Sequence, residues 1–314
     1  LHAEPGEVSI HPNTTMAQAV ALSALDFTPP RNRLVCTDQD FPSMLYLYEG
    51  LTRRGVDVVR IPARDRHAIE EQDVLAAIDE RTAVVAVSQV LFRNSQVLDV
   101  APIVRRAHDV GALVMLDAYQ AIGVVPVDVG SIGVDLLAGG TIKWLCGGPG
   151  VGYLYASPRL ELRPALTGWM AHERPFDFDK GAMRWSEGSR RFQTGTPSIP
   201  SVLAAQPGAE IVAEIGVERI REKSLRLTER MIGWADEMGF ALGSPREPAR
   251  RGGTVVLDVP HAERVCQALL KADVMLDFRP GVGIRLAPHF YTREDEVDLV
   301  LKMVRDEVER VLCA

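Results

Sequence analysis

Cysteine is scarce in this sequence, and the four that occur, Cys36, Cys146, Cys266 and Cys313, lie far apart with no CxxC pair. This spacing predicts neither a zinc site nor a disulfide framework, and it favours a reducing, cytoplasmic setting. No apolar run approaches the roughly 20 residues that span a bilayer. Basic residues do not dominate either: 35 basic against 42 acidic side chains give a net charge of −7, which argues against a nucleic-acid or anionic-membrane partner.

The sequence also lacks a methionine at its first position, Leu1, and it lacks the charged-then-apolar pattern of a secretory signal. We therefore expect a further N-terminal segment to precede Leu1. What is present is ordinary globular composition, with 46 % apolar and 25 % charged residues in 314 positions. A chain of this length predicts two packed units, because domains average roughly 100–200 residues.

The first two thirds of the chain alternate short apolar runs with stretches of helical periodicity. The apolar runs predict strands at residues 33–37, 56–61, 83–88, 113–117, 136–139 and 152–155. The periodic stretches predict helices at residues 14–27, 42–54, 69–79 and 100–110. Because several of these strands are apolar on both faces, we expect an α/β fold with a mainly parallel sheet sandwiched by helices.

The pattern changes after about residue 200. A long helix is predicted over residues 201–238, with an interruption near Pro207 and Gly208. A strand at 254–258, a helix at 262–271, a short strand near 274–278 and a final helix at 293–311 follow. Thr292 is predicted to cap the last helix, with Asp295 as its capping-box partner. We therefore expect a large α/β domain over residues 1–200 and a smaller C-terminal α+β domain over residues 201–314.

Polar residues follow three of the predicted strands at their carboxyl ends, where ligands bind in open α/β sheets. Ser88 ends one strand, Asp117 ends another, and Thr141 and Lys143 follow a third. Asp117 or Lys143 alone is weak, because such an aspartate is often a turn residue and most lysines are solvated. Together they suit a pyridine cofactor, since a carboxylate keeps the ring nitrogen protonated and a lysine forms a Schiff base with the aldehyde.

A glycine-rich run, GGPGVG at residues 147–152, follows the lysine. It does not fit the P-loop pattern GxxxxGK[ST]. It also fails as a dinucleotide fingerprint, because a predicted strand rather than a helix comes after it. We interpret the run as a tight connection beside the lysine.

The residues around these positions resemble the class V aminotransferases, which are fold-type I enzymes dependent on pyridoxal 5′-phosphate (PLP). The motifs that carry the resemblance are DAYQ at 117–120, TIK at 141–143 and the glycine-rich run. Others are similar to the kynureninase-like branch: FPS at 41–43, LTGW at 166–169, HE at 172–173, RFQTGTP at 191–197 and GIRLAP at 283–288. They occur in family order from about residue 13 to the C-terminus, so the resemblance covers nearly the whole chain.

The resemblance implies roles for the central polar residues. Lys143 would form the Schiff base and carry protons at the substrate Cα and the cofactor C4′. Asp117 would pair with the pyridinium nitrogen, and Gln120 would reach the ring hydroxyl or the Schiff base. Arg285 would bind the α-carboxylate of an amino-acid substrate, a planar group that a guanidinium matches better than an ammonium does.

Further cofactor contacts are implied around the ring and the phosphate. Phe41 would stack on the ring, and Thr14, with Asn13 or Thr15, would hold the phosphate at a helix N-terminus. The remaining implied contacts are Ser88, Thr141, Trp169 and Thr196. Of these, Trp169 and Thr196 would reach across from a partner subunit, since family members are homodimers with active sites at the subunit interface.

Each of these residues has a purely structural alternative. Phe41 and Trp169 could be core aromatics, and Thr14 could be an ordinary helix cap. Arg285 lies in an apolar run, where an unpaired charge is costly, so we expect a carboxylate partner from protein or substrate. We interpret His172, His289 and Cys146 as structural residues, and we expect no metal site.

The reaction is less well determined than the cofactor. Kynureninases carry His three residues after the aspartate and Tyr just before the lysine, whereas this chain has Gln120 and Ile142. Cysteine desulfurases need a reactive cysteine on a mobile loop, and none here looks activated by its sequence context. We therefore favour aminotransferase-type chemistry over a Cβ lyase or kynureninase-like hydrolase, and either of these over a non-catalytic scaffold.

Overall fold

A seven-stranded sheet forms the centre of the computed structural model, which describes residues 1–313. Its strands are β1 (Val8–His11), β2 (Arg33–Thr37), β3 (Asp57–Ile61), β4 (Thr82–Ser88), β5 (Leu113–Asp117), β6 (Leu136–Gly140) and β7 (Gly152–Ala156). They lie in the order β1-β7-β6-β5-β4-β2-β3. Strands β2 to β6 are parallel, and β7 is antiparallel to both of its neighbours.

Helices cover both faces of this sheet. They are α1 (Thr14–Leu22), α2 (Pro42–Leu51), α3 (Glu71–Ala77), α4 (Val100–Asp109) and α5 (Val129–Ile132). Alternate residues of one strand enter different cores: Val84 and Ala86 of β4 pack with α1 and α2, whereas Val85 and Val87 pack with α3 and α4. The α/β sandwich expected from strands that are apolar on both faces is therefore confirmed.

A second, four-stranded sheet is antiparallel throughout. Its strands are β8 (Ala241–Leu242), β9 (Val255–Asp258), β10 (Asp277–Arg279) and β11 (Gly283–Leu286), in the order β10-β11-β9-β8. The later helices are α6 (Ile199–Ile215), α7 (Val217–Glu237), α8 (Ala262–Lys271) and α9 (Glu294–Leu312). This sheet has its own core, formed with α7, α8 and α9. A boundary at residue 200 between two domains stays a prediction.

Short 3₁₀ helices lie at Thr52–Arg54, Asp65–His67, Trp169–Ala171, Pro175–Asp177, Gly188–Phe192 and Pro248–Arg250. The six strands predicted for the first sheet are present. Three further strands were not predicted: β1, which is short and pairs only with β7, and β8 and β11 of the second sheet. The strand expected near residues 274–278 lies at Asp277–Arg279 instead.

The helix break predicted near Pro207 is wrong. Helix α6 continues through Pro207, and the break lies at Gly216, whose φ of +87° suits glycine and is strained for other residues. A proline removes one backbone donor and displaces one carbonyl, and the packing of α6 against the turn that follows β6 outweighs that cost here. Local propensity is thus overridden by a tertiary contact.

The predicted cap of the last helix is also wrong. Helix α9 is capped by Arg293, whose backbone N–H donates to Glu296 Oε2 at 2.7 Å. Thr292 instead accepts a hydrogen bond from the His289 backbone N–H at 3.0 Å, which uses its hydroxyl in the preceding turn. Among the described residues, no helix combines the length and the apolar character needed to cross a membrane.

Candidate active site

A cleft of about 240 Å³ opens where the carboxyl ends of β4 and β5 meet the turn after β6 and the start of α1. Its lining includes Asn13, Thr14, Thr15, Phe41, Ser43, Met44, Ser88, Val90, Phe92, Asp117, Tyr119, Gln120 and Lys143. Eight of the residues expected to bind the cofactor or act in catalysis are in this set. Thr141, Trp169, Thr196 and Arg285 are not.

Asp117 is buried at the end of β5, and both of its carboxylate oxygens are held by donors. The Tyr119 backbone N–H donates to Oδ1 at 2.9 Å, and the Gln18 side-chain amide donates to Oδ2 at 3.2 Å. The Tyr48 hydroxyl donates in turn to Gln18 Oε1 at 2.7 Å. Burial raises the pKa of Asp117 to about 6, against the opposing effect of the Tyr119 hydrogen bond. The carboxylate is therefore fixed in place, and its ionised form is costly until a positive partner arrives.

Lys143 lies on the turn that follows β6, with its amine among aromatic rings. Nζ is 4.7 Å from the centre of the Tyr119 ring and 5.8 Å from that of Phe41. Burial lowers the pKa of Lys143 to about 8, Asp117 opposes that shift, and the positive charges of Arg285 and Arg279 reinforce it. A lysine with this pKa has an appreciable neutral fraction near neutral pH, which is the form that can act as a nucleophile.

The turn that carries Lys143 is closed by its own backbone. The Cys146 N–H donates to the Lys143 carbonyl at 3.0 Å, and the Gly147 N–H donates to the Thr141 carbonyl at 2.8 Å. The single proton of the Thr141 hydroxyl has two carbonyl acceptors within reach in the same turn, Gly148 O at 3.3 Å and Val151 O at 3.4 Å. Its role as a cofactor contact stays a prediction. The glycine-rich run is thus a tight connection beside the lysine, as interpreted from the sequence.

Helix α6 supports this turn from outside. Gly208 of α6 lies so close that an added Cβ would be 2.6 Å from the Cys146 carbonyl. Only glycine permits that approach, because real Cβ atoms essentially never come nearer than 3.0 Å.

Ser88 ends β4 and is held by a buried carboxylate that the sequence analysis missed. Its backbone N–H and its hydroxyl both donate to Asp40 Oδ1 at 2.7 Å. The other oxygen of Asp40 accepts from the Thr37 backbone N–H at 2.8 Å and from the Thr37 hydroxyl at 3.0 Å. Asp40 thereby ties the ends of β2 and β4 together directly before Phe41. Burial raises the pKa of Asp40, against these hydrogen bonds.

The start of α1 lines one end of the cleft. Asn13 caps the helix, and its side chain accepts from the Met16 N–H at 2.9 Å. The Thr14 hydroxyl is buried and has no hydrogen-bond partner among the described residues. The first N–H groups of a helix likewise lack intrahelical acceptors. This end of the cleft therefore offers donors that a phosphate would satisfy.

Phe41 is not a core aromatic, since it is 43 % exposed and lines the cleft. The Phe92 ring meets it edge-on with 5.2 Å between ring centres. Phe92 also connects the cleft to Arg285, because Arg285 Nη1 donates to the Phe92 carbonyl. The carboxylate partner expected for Arg285 is Asp277, at 2.9 Å from Nε and 3.1 Å from Nη2.

Trp169 and Thr196 lie outside the cleft of their own chain. Trp169 is 38 % exposed and packs with Phe176 and Phe178, with 5.5 and 5.8 Å between ring centres. Thr196 is exposed and lines a separate cavity of about 60 Å³ beside His11. Their contact with the cofactor of a partner subunit stays a prediction.

Cys146 and His289 contact each other behind the lysine turn, with 3.5 Å from Sγ to Nε2. Burial raises the pKa of the Cys146 thiol, so the thiol is not activated towards nucleophilic attack. Among residues 1–313, the structure shows no group of three or more His, Cys, Asp or Glu side chains that could hold a metal ion.

The family described as Aminotransferase class-V matches residues 2–283. The chain belongs to this family. A kynureninase of Geobacillus thermodenitrificans is 33 % identical to this class V enzyme, and the match covers 96 % of the present chain and 74 % of the relative. An uncharacterised aminotransferase of Bacillus subtilis, YcbU, is 35 % identical over 94 % of the chain and 77 % of the relative.

Solved structures share the fold of this class V enzyme. A cysteine desulfurase from Thermococcus onnurineus in its apo form superposes with a TM-score of 0.86 at 24 % identity, over 98 % of this chain and 80 % of that one. The cystine C–S lyase C-DES, in complex with its product cysteine persulfide, gives 0.84 at 21 % identity, over 97 % and 82 % of the two chains. The predicted fold-type I architecture is confirmed.

Pyridoxal 5′-phosphate is the cofactor of this family, and the residues of the cleft fit it. The unpartnered Thr14 hydroxyl at the start of α1 matches a phosphate. The buried carboxylate of Asp117 matches a protonated ring nitrogen, and the Lys143 amine matches the aldehyde. Gln18, Tyr48 and Asp40 are the supporting residues that sequence reasoning missed. The only signal for Gln18 was a polar residue on the apolar face of a helix, four positions after Thr14.

Proposed function

We propose that this enzyme acts on an α-amino acid by aminotransferase-type chemistry, with Lys143, Asp117 and Gln120 as catalytic residues. One observation carries the assignment of this cleft as the catalytic site, and the choice of transfer rests on Gln120 and Ile142, which are discussed below. Asp117 at the end of β5 and Lys143 on the turn after the neighbouring parallel strand β6 line the same cleft, and burial moves the pKa of each towards neutrality. Paired shifts of this kind are typical of acid–base sites.

Different residues of the chain bind the cofactor, bind the substrate and transfer protons. Bound PLP supplies an electrophilic carbonyl and an electron sink. Asp117, ionised above pH 6, holds a proton on the ring nitrogen, and Lys143 serves as nucleophile and then as proton carrier. The Thr14 hydroxyl and the amides at the start of α1 hold the phosphate, while Arg285 binds the substrate α-carboxylate.

Two side chains favour transfer over hydrolysis of kynurenine. Gln120 stands in the cleft where kynureninases carry a histidine three residues after the aspartate. Ile142 stands directly before the lysine, where they carry a tyrosine. It is 49 % exposed and has no hydrogen-bond donor to offer. A general acid or base at either position is therefore missing from this chain.

A Cβ lyase or kynureninase-like hydrolase is the second candidate. It is favoured by the 33 % identity to a kynureninase over 96 % of the chain. Both reactions would use the same lysine, aspartate and arginine, so the residues common to them do not separate the two.

We also propose a homodimer in which each cleft is completed by the other subunit. Trp169 and Thr196, which are implied to contact the cofactor, lie outside the cleft of their own chain. Their exposed positions leave them available to a second copy.

The first experiment tests whether the cleft is catalytic. The purified protein should absorb visible light and lose that absorption with borohydride, and Lys143→Ala should be colourless and inactive. Lys302→Ala, on the exposed face of α9, is the matched control and should retain both properties. A coloured, active Lys143→Ala variant would exclude the proposed lysine role.

The second experiment separates the reactions. The enzyme is incubated with single amino acids, and the products are identified by mass spectrometry. Accumulation of pyridoxamine phosphate supports transfer, an α-keto acid with unchanged cofactor supports Cβ elimination, and alanine from kynurenine supports hydrolysis. Either of the last two results overturns the aminotransferase proposal.

The third experiment tests the shared cleft. Lys143→Ala and Thr196→Ala are each expected to be impaired, whereas a refolded equimolar mixture should regain up to about a quarter of the parent activity. This follows because half of the dimers are then mixed, and each mixed dimer holds one intact site. A mixture no more active than the sum of its parts would argue against a contribution from the partner.

A further inference from the structure

A cluster of three charged residues stands at the edge of the cleft, on the hairpin formed by β10 and β11. Asp277 lies directly opposite Arg285 in the register of this hairpin. It binds that guanidinium through two hydrogen bonds, at 2.9 and 3.1 Å. Asp277 Oδ2 also accepts a hydrogen bond from Arg279 Nη2 at 3.1 Å. One carboxylate is therefore shared between two arginines, bidentate to one and monodentate to the other.

The donors of the two arginines are unequally satisfied. Arg285 uses Nε and Nη2 on Asp277, and it uses Nη1 on the carbonyl of Phe92. Arg279 Nε is buried and has no partner among the described residues. This arrangement of the Arg279 guanidinium is unfavourable, because a buried guanidinium N–H without an acceptor costs free energy. Arg279 thus has the geometry to take a second oxygen of Asp277.

The net charge of the cluster also favours the binding of a second carboxylate. Two guanidinium groups face one carboxylate, so the cluster carries one positive charge that no residue within it balances. An incoming carboxylate would balance it and would leave each arginine with one bidentate partner. Bidentate pairing with a carboxylate is the geometry that arginine favours.

We propose that Asp277 is an internal carboxylate that occupies Arg285 until the α-carboxylate of the substrate displaces it, and that Asp277 then pairs with Arg279. The proposal rests on the proposed function, since it requires Arg285 to bind the substrate carboxylate. The exchange replaces one bidentate pair with two and gives Arg279 Nε its missing acceptor. It also makes the site selective, because a substrate without an α-carboxylate has nothing with which to release Asp277.

The test uses the PLP-loaded enzyme and L-alanine, which carries the α-amino and α-carboxylate groups with only a methyl beyond them. Binding is followed through the visible absorption of the cofactor in the parent, Asp277→Asn, Arg279→Met and the double variant. Asp277→Asn removes the competitor and should lower the dissociation constant by about tenfold, which corresponds to about 1.4 kcal/mol. Arg279→Met removes the alternative partner of Asp277 and should raise it by a similar factor. In the double variant, Arg279→Met should no longer raise the dissociation constant, because Asp277 has lost its charge and no longer needs Arg279 as an alternative partner.

Other patterns overturn the proposal. An unchanged or higher dissociation constant in Asp277→Asn means that Asp277 only orients Arg285. An equal loss from Arg279→Met in both backgrounds means that Arg279 contacts the substrate itself. Asp298→Asn, which breaks the exposed pair with Arg230, is the matched control and should leave binding unchanged.

Two further variants keep these failures apart from others. If Arg285→Met binds L-alanine as well as the parent does, the assignment of the carboxylate to Arg285 in the proposed function is wrong. Asp277→Glu retains the charge and should bind L-alanine no more tightly than the parent. It therefore shows whether a gain in Asp277→Asn comes from the lost charge, and thermal unfolding of each variant checks that it is folded.

Discussion

The two sides of the cleft hold their charged groups by different means. On the sheet side, Asp117 is buried and is positioned by neutral donors from Tyr119 and Gln18. On the hairpin side, Arg285 is held by a charged partner, Asp277, which is 39 % exposed. Neutral buried donors fix a carboxylate without competing with its ligand, whereas a charged partner can be exchanged for another charge. Under the proposed function, the cofactor would face the side held by neutral donors and the substrate carboxylate would face the side whose charged partner can be exchanged.

The largest expected effect follows from neutralising the sheet side with Asp117→Asn. This change removes the charge that holds the ring proton, so kcat should fall by about a thousandfold, within the range of acid–base contributions. The fold should survive, because the Gln18 amide can turn over to match the new side chain. A kcat within tenfold of the parent would contradict the assigned role of Asp117.

The same variant should be more stable than the parent when both lack the cofactor. The pKa of Asp117 is raised from 3.8 to about 6 in the fold. The contribution of Asp117 to the stability of the parent is therefore most favourable below pH 3.8 and declines as the pH rises to about 6, by on the order of 2–3 kcal/mol. Asp117→Asn carries no such penalty. Its advantage in unfolding free energy should open between about pH 4 and 6 and be absent below that window, in denaturant titrations at several pH values.

A second, smaller effect tests the support behind the lysine. Gly208→Ala places a Cβ against the backbone of the Lys143 turn, so helix α6 must shift, at a cost of roughly 1–3 kcal/mol. Gly233→Ala is the matched control, because that glycine lies exposed in α7 with nothing within 4 Å of its Cβ position. It should gain up to about 1 kcal/mol. Equal effects of the two changes on the unfolding free energy would disprove the close support of the turn.

The smallest effect sharpens the contrast between the two kinds of contact. Tyr48→Phe leaves Gln18 Oε1 without its buried donor and should cost about 1–2 kcal/mol of stability, with a few-fold loss of cofactor affinity. Asp298→Asn breaks an exposed ion pair and should cost less than about 1 kcal/mol. If urea titrations rank these two variants in the opposite order, the buried hydrogen bond contributes less to stability than the exposed ion pair does, and this prediction is wrong.

The sheet and the polar residues at its carboxyl edge could be predicted from the sequence, because parallel strands are apolar throughout and end in polar residues. That pattern located Ser88, Asp117 and Lys143 at one edge of the sheet, and the structure brings all three to one cleft. The residues that hold Asp117 and Ser88 in place could not be predicted. Gln18 is a single polar residue on an otherwise apolar helix, and Asp40 sits in a turn where aspartate is common for other reasons.

The hairpin side could not be predicted for a different reason. The pairing of Asp277 with Arg285 depends on the register between β10 and β11, and β11 was not recognised as a strand. A carboxylate partner for Arg285 could be expected from the cost of an unpaired charge, but its identity could not. Similarly, the continuation of α6 through Pro207 accompanies the close packing of Gly208 against the lysine turn, which no local pattern contains.

Phe92 serves the two sides of the cleft with different parts of the same residue. Its carbonyl accepts from Arg285, and its ring meets Phe41. A change of side chain at this position alters the aromatic wall but keeps the backbone oxygen that steadies the guanidinium. A single substitution at this position can therefore alter the proposed aromatic contact to the cofactor while the proposed anchor for the amino acid stays in place.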